Sequence, residues 1–142
     1  MSRSGYSDCD DDGSLAMWRG QVASATRGKR GQKMFRDLLA ALDAMPEKAL
    51  IAGELEADGE VCALGALARY RGVDMDKIDA SEPDEVAHAF DIAHQLAAEV
   101  AYMNDEHFDY HWTGNERVDF TPEERWAGMR AWVVKQIREV AS

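Results

Sequence analysis

The chain has little of what builds covalent frameworks or membrane spans. It contains two cysteines, Cys9 and Cys62, too few for the disulfide scaffold of a small secreted domain. Both are read as reduced thiols, with Cys62 a small core residue in the apolar run Val61–Leu67. No stretch approaches the ~20 apolar residues of a membrane span. The opening MSRSGYSDCDDDGS has no apolar segment of the kind a signal peptide carries, so a cytoplasmic location is expected. Cations are scarce: Lys and Arg number 16 against 27 Asp and Glu, a formal charge of −11. That excess argues against anionic membrane surfaces and against general coating of DNA, whose phosphates would repel the chain. Apolar residues still make up 46% of the 142, enough for one domain with its own core and too much for a disordered chain.

The charges are unevenly distributed. Residues 19–36 carry Arg19, Arg27, Lys29, Arg30, Lys33 and Arg36 with no acid among them. Residues 37–111 hold eighteen acids against four Lys or Arg. A layout this polarised says more about partners than about chemistry.

Local patterns predict a mainly α fold: an irregular bundle of five or six helices, with room for one short β-hairpin near residues 49–62. Residues 1–14 read as a flexible acidic tail and residues 15–142 as a single helical domain. Ser14 is placed to cap a first helix over Leu15–Thr26. Gly28 and Gly31 are expected to break it, after which Phe35, Leu38, Leu39 and Leu42 form one stripe up to Pro46. Asp58-Gly59 suits a tight hairpin turn, although a short helix followed by a loop fits the same stretch. Gly65 is read as allowing close backbone approach and Gly72 as a helix C-cap. Ser81, Pro83 and Glu85 mark another start, and Asp91 is taken to begin a helix with Leu96, Val100 and Met103 on one face. Residues 104–120 show no period and read as a long loop. Thr121-Pro122-Glu123-Glu124 is a capping box. It opens a helix to about Val140, with Trp126, Met129, Val133, Ile137 and Val140 on its apolar seam and Trp132 at the edge of that seam.

Three segments, DGEVCALGALARYRGVDM (Asp58–Met75), AYMNDE (Ala101–Glu106) and TPEERWAGMRAWVVKQI (Thr121–Ile137), together resemble small acidic proteins of unassigned function from tailed phages and prophages of proteobacteria. The resemblance implies a genomic setting in which small accessory proteins modulate host defence or phage gene expression. It implies no activity and no site residues.

Candidate chemistry is sparse. His107 and His111 lie four apart among Asp105, Glu106 and Asp109, a spacing that on a helix could ligate zinc. In a loop, and without H-E-x-x-H, the pair reads as solvated surface. His88 and His94 are six apart and would face differently on one helix. No phosphate-binding glycine motif occurs. Accordingly no catalytic residue, metal ligand or cofactor is expected.

Binding is the better expectation. Glu54, Glu56, Asp58, Glu60, Asp74, Asp76, Asp79, Glu82, Asp84 and Glu85, with Asp91 beyond them, could imitate part of a phosphate backbone. They would engage the basic surface of a nucleic-acid-handling host protein or complex, making the chain a non-enzymatic inhibitor of anti-CRISPR or anti-restriction type. The alternative is a small regulator that touches nucleic acid through Arg27, Lys29, Arg30 and Lys33. A hydrolase or metal enzyme comes third.

Overall fold

The computed structural model describes residues 14–138. The expected acidic tail, Cys9 included, therefore lies outside the described residues apart from Ser14, and so does Val140. Ser14 is the first residue of α1 (Ser14–Arg27), not its cap. The other helices are α2 (Lys29–Ala44), α3 (Ala63–Arg71), α4 (Pro83–Phe90), α5 (His94–Tyr102) and α6 (Pro122–Gln136). Two antiparallel ribbons accompany them, β1 (Glu56–Ala57) with β2 (Glu60–Val61), and β3 (Tyr110–Thr113) with β4 (Glu116–Asp119). The fold is mainly α, as expected. No helix among the described residues is long and apolar enough to cross a membrane.

The centre of the fold is the run Val61–Ala68, every residue of which is buried. Its small apolar side chains let α3 pack on several sides at once. Phe35, Leu38 and Leu42 of α2 reach the same core, as do Phe90 of α4, Leu96 and Val100 of α5, and Met129 and Val133 of α6. Two buried amides secure this packing. Gln32 donates from Nε2 to the carbonyls of Thr26 (2.7 Å) and Gln136 (2.9 Å), and its Oε1 accepts the Arg138 N–H (2.8 Å). One side chain thus joins the C-terminal ends of α1 and α6 to α2. Asn104 accepts the Ala63 N–H at 3.1 Å and donates to the Ile51 carbonyl at 2.9 Å. Buried amides this well satisfied favour one arrangement of the elements they join.

Several boundaries differ from expectation for identifiable reasons. Only Gly28 interrupts α1 and α2, with extended backbone at φ −69°, ψ 165°. Gly31 lies inside α2, where a β-carbon would sit 2.0 Å from the Ala25 carbonyl oxygen; its bareness permits the close crossing of α1. Asp91 opens no helix. It is the left-handed C-cap of α4 (φ 53°), and α5 begins at His94. The 49–62 hairpin exists but is short, turning at Asp58 and Gly59, both with positive φ.

Residues 104–120 are no loop: a π-helical turn (Met103–His107) precedes β3 and β4, which turn at Gly114 and Asn115. All four residues of β3 are exposed and only Val118 of β4 is half-buried, so neither strand carries an apolar alternation. The Gly-Asn turn was the available signal.

The capping box at Thr121 is present in both directions, Thr121 N–H to Glu124 Oε1 at 2.9 Å and Glu124 N–H to Thr121 Oγ1 at 3.1 Å. Of the expected seam, Met129 and Val133 are fully buried, whereas Trp126 and Ile137 are half-buried. Trp126 keeps its Nε1–H on the Leu42 carbonyl (3.1 Å). Arg125 is buried as well, donating to the Leu50 carbonyl.

Replacing Val133 by Asp would bury a carboxylate among Met129, Phe35 and their neighbours without a partner. The expected loss is several kcal/mol, comparable with the whole stability of a small domain. A Val133→Asp protein that melts like the parent in a circular-dichroism scan would contradict this placement.

Candidate functional site

All ten acids singled out from the sequence are exposed. Along the chain they fall into two groups, one before and one after α3, whose nine residues span about 13 Å at 1.5 Å per residue. The first group, Glu54, Glu56, Asp58 and Glu60, sits on the β1–β2 ribbon that leads into α3. The second, Asp74, Asp76, Asp79, Glu82, Asp84 and Glu85, follows the left-handed C-cap at Gly72 (φ 73°).

Four of the ten have local tasks. Glu56 receives Arg69 at 2.6 Å. Asp74 caps the 3-10 turn Met75–Lys77 by accepting the Asp76 N–H. Asp79 accepts both the hydroxyl (2.6 Å) and the N–H (2.9 Å) of Ser81. Asp84 lies 2.6 Å from His94 Nδ1, and like Glu85 it stands in the first turn of α4, where the helix dipole favours a negative charge. The side chains of Glu54, Asp58, Glu60, Asp76, Glu82 and Glu85 make no ion pair or hydrogen bond among the described residues. Their carboxylates are exposed to solvent. Ser81 holds the Asp79 carboxyl below its ordinary range, chiefly through the side-chain hydrogen bond and then the backbone one.

The ribbon group depends on Gly65. A β-carbon there would lie 2.0 Å from the Leu55 carbonyl oxygen and 2.9 Å from the Val61 side chain. Glycine therefore lets the Leu55 backbone rest on α3, with the Cys62 N–H donating to that same carbonyl at 3.2 Å. Cys62 is fully buried, as expected for a core residue. It also caps α3, its Sγ accepting the Gly65 N–H at 3.4 Å, a role that sequence reading missed.

The basic segment is partly neutralised within the chain. Arg30 meets Asp91 at 3.3 Å and Lys33 meets Asp37 at 3.1 Å. Arg27 and Lys29 make no ion pair among the described residues. Arg19, from the same basic stretch of sequence, grips the buried Glu99 with two hydrogen bonds of 2.7 and 2.8 Å. No local pattern signals that the end of α6 and the residues after it bring Lys135 and Arg138 beside Arg19 and Arg27, where these residues share one cleft.

The histidines do not converge. His88, His107 and His111 are exposed, and the His111 ring packs edge-on against Phe120 at 5.3 Å. No group of three or more His, Cys, Asp or Glu able to hold a metal ion occurs among the described residues. Comparison with protein-family models, curated proteins and solved structures gives no match for this chain.

Two outcomes follow from this geometry. Gly65→Ala should cost roughly 1–3 kcal/mol, as overpacking against backbone does, and should speed amide exchange at Cys62; an unchanged melting temperature would show that Leu55 does not rest on α3. Ser81→Ala should raise the Asp79 midpoint towards the ordinary carboxylate value in a carboxyl-carbon NMR titration. Asp79 therefore stays ionised to lower pH than an ordinary carboxylate, and an unmoved midpoint in the variant would remove the Ser81 hydroxyl as the chief cause.

Proposed function

We propose that this chain is a non-enzymatic acidic binding protein that docks on the basic, nucleic-acid-handling surface of another protein. The observation that carries the proposal is the pair of acid groups flanking α3, with six carboxylates that no described residue neutralises. Acids that served only to hold the fold together would be expected to pair with cations, cap helices or hold neighbouring side chains, as Glu56, Asp74, Asp79 and Asp84 do. The remaining six leave a one-signed field that steers a cationic partner and repels nucleic acid. Channels that hold nucleic acid are lined with Lys and Arg, and a folded acidic surface can occupy them in its place. Together with the resemblance to phage-encoded acidic proteins, this makes a host defence nuclease or an RNA-guided defence complex the target class, with inhibition of anti-CRISPR or anti-restriction type as the outcome. Contact with nucleic acid through Arg27, Lys29, Arg30 and Lys33 is the weaker reading, because Arg30 and Lys33 already face Asp91 and Asp37.

The test compares two charge-reversed proteins against the partner captured on immobilised parent protein. Changing Asp76, Glu82 and Glu85 to Lys should weaken the complex at least about tenfold at physiological salt, where the screening length is ~8 Å, and much less near 1 M, where it is ~3 Å. Changing Arg27, Lys29 and Arg30 to Glu should leave the affinity nearly unchanged. A complex damaged mainly by the second set, or direct binding of duplex DNA by the parent, would overturn the proposal.

A further inference from the structure

The β3–β4 ribbon carries the most exposed aromatic surface among the described strands. No residue of either strand belongs to the core. Residues directly opposite in an antiparallel pair share a face, so the register Tyr110↔Asp119 and Trp112↔Arg117 puts these four side chains together. Trp112 is 62% exposed and Tyr110 41%. Their rings meet edge to face, with centroids 6.2 Å apart and planes at 86°.

An exposed tryptophan has an ordinary explanation when it braces its own ribbon. Here other residues perform that task. Arg117 lies opposite Trp112, yet its guanidinium sits over the Tyr110 ring, 4.1 Å from the centroid. Asp119 at 3.0 Å and Asp109 at 4.0 Å hold it there. On the other face of the ribbon the His111 ring packs on Phe120 at 5.3 Å, and Phe120 in turn meets Phe108 at 5.8 Å. Trp112 keeps one ring contact, with Tyr110, and has no cation over it among the described residues. An apolar ring of this size left in water marks a contact surface.

The charge around the ring says what covers it. Residues 109–119 hold three acids, Asp109, Glu116 and Asp119, against Arg117 alone. That surround attracts a cation, and it repels the phosphates that accompany a stacked nucleic-acid base. Among cations a guanidinium fits best. It is planar and weakly hydrated, lies flat on an indole, and keeps its N–H groups free for neighbouring carboxylates. The ribbon is also tied to the acids that precede α3. The Gly53 N–H donates to Asp105 Oδ1 at 3.0 Å, which joins the residue before Glu54 to the turn that opens β3.

We propose that the Tyr110–Trp112 face docks an arginine-bearing segment of a basic protein, with the arginine guanidinium on the Trp112 indole. The proposal deepens the binding reading given above and rests on it for the partner, while the ribbon itself is testable with a peptide alone.

The experiment follows the indole N–H signals of the full chain by heteronuclear NMR, Trp112 being assigned as the signal missing from Trp112→Phe. The probes are an end-blocked tri-arginine peptide and the tri-citrulline peptide, its uncharged isostere. The Trp112 signal should move saturably with tri-arginine at roughly millimolar concentration or below, and stay still with tri-citrulline. Arg117→Gln, which removes the competing cation from Tyr110, should strengthen tri-arginine binding. With the captured partner, Trp112→Ala should weaken the complex at least about fivefold, and Trp112→Phe less. A Trp112 signal that ignores tri-arginine or answers tri-citrulline equally would overturn the proposal and leave the acids around α3 untouched. So would a partner affinity indifferent to Trp112→Ala. A Trp112 signal that broadens with protein concentration alone would assign the face to a second copy and overturn it as well. A partner sensitive to Trp112→Ala but indifferent to Lys at Asp76, Glu82 and Glu85 would sustain this proposal and overturn the reading of those acids.

Discussion

Burial of the run Val61–Ala68 is the constraint from which the rest of this structure follows. A helix that is apolar on every side must be covered on every side, or the hydrophobic gain is lost. Here α2, α5 and the ribbon residue Leu55 close around it, and Gly65 allows the last of these contacts. The chain entering and leaving such a helix must return to water at both ends. In this sequence the two returning segments are where the acids lie: Glu54 to Glu60 before α3, Asp74 to Glu85 after it. The central helix therefore does two things at once. It supplies the core, and it is entered and left by the two acidic segments.

The periodic parts of this fold were legible in the sequence, and the aperiodic parts were not. The stripe of Phe35, Leu38 and Leu42 and the capping box at Thr121 each rest on local rules that need no tertiary information. The Asp58-Gly59 turn formed because both residues tolerate positive φ. Three features escaped because local rules do not contain them. Gly31 looked like a helix breaker, and only the proximity of the Ala25 carbonyl explains its place inside α2. The β3–β4 ribbon has two solvated faces, so its strands lack the alternation that marks a half-buried strand. Gln32, a polar residue with no apolar signal of its own, is buried because three backbone groups from α1 and the end of α6 converge on it.

The electrostatic organisation shows the same division. That the middle of the chain is acidic and residues 19–36 basic was plain from composition. The arrival of Lys135 and Arg138 beside Arg19 and Arg27 depends on long-range packing across more than a hundred residues of sequence. Magnitudes also separate the pairs that matter for the fold from those that do not. Arg30–Asp91, with both side chains well exposed, contributes little. Arg19 donates two hydrogen bonds to buried Glu99 and so offsets the cost of a carboxylate in the interior.

The central claim is that solvated carboxylates around α3 recruit a cationic partner. Its most direct test is the association rate with that partner, measured as salt rises from about 0.1 M to about 1 M, over which the screening length falls from ~10 Å to ~3 Å. The account predicts an association rate that drops at least about tenfold while the dissociation rate changes far less, the signature of steering by opposite charge. An association rate that is flat or rises with salt would contradict it.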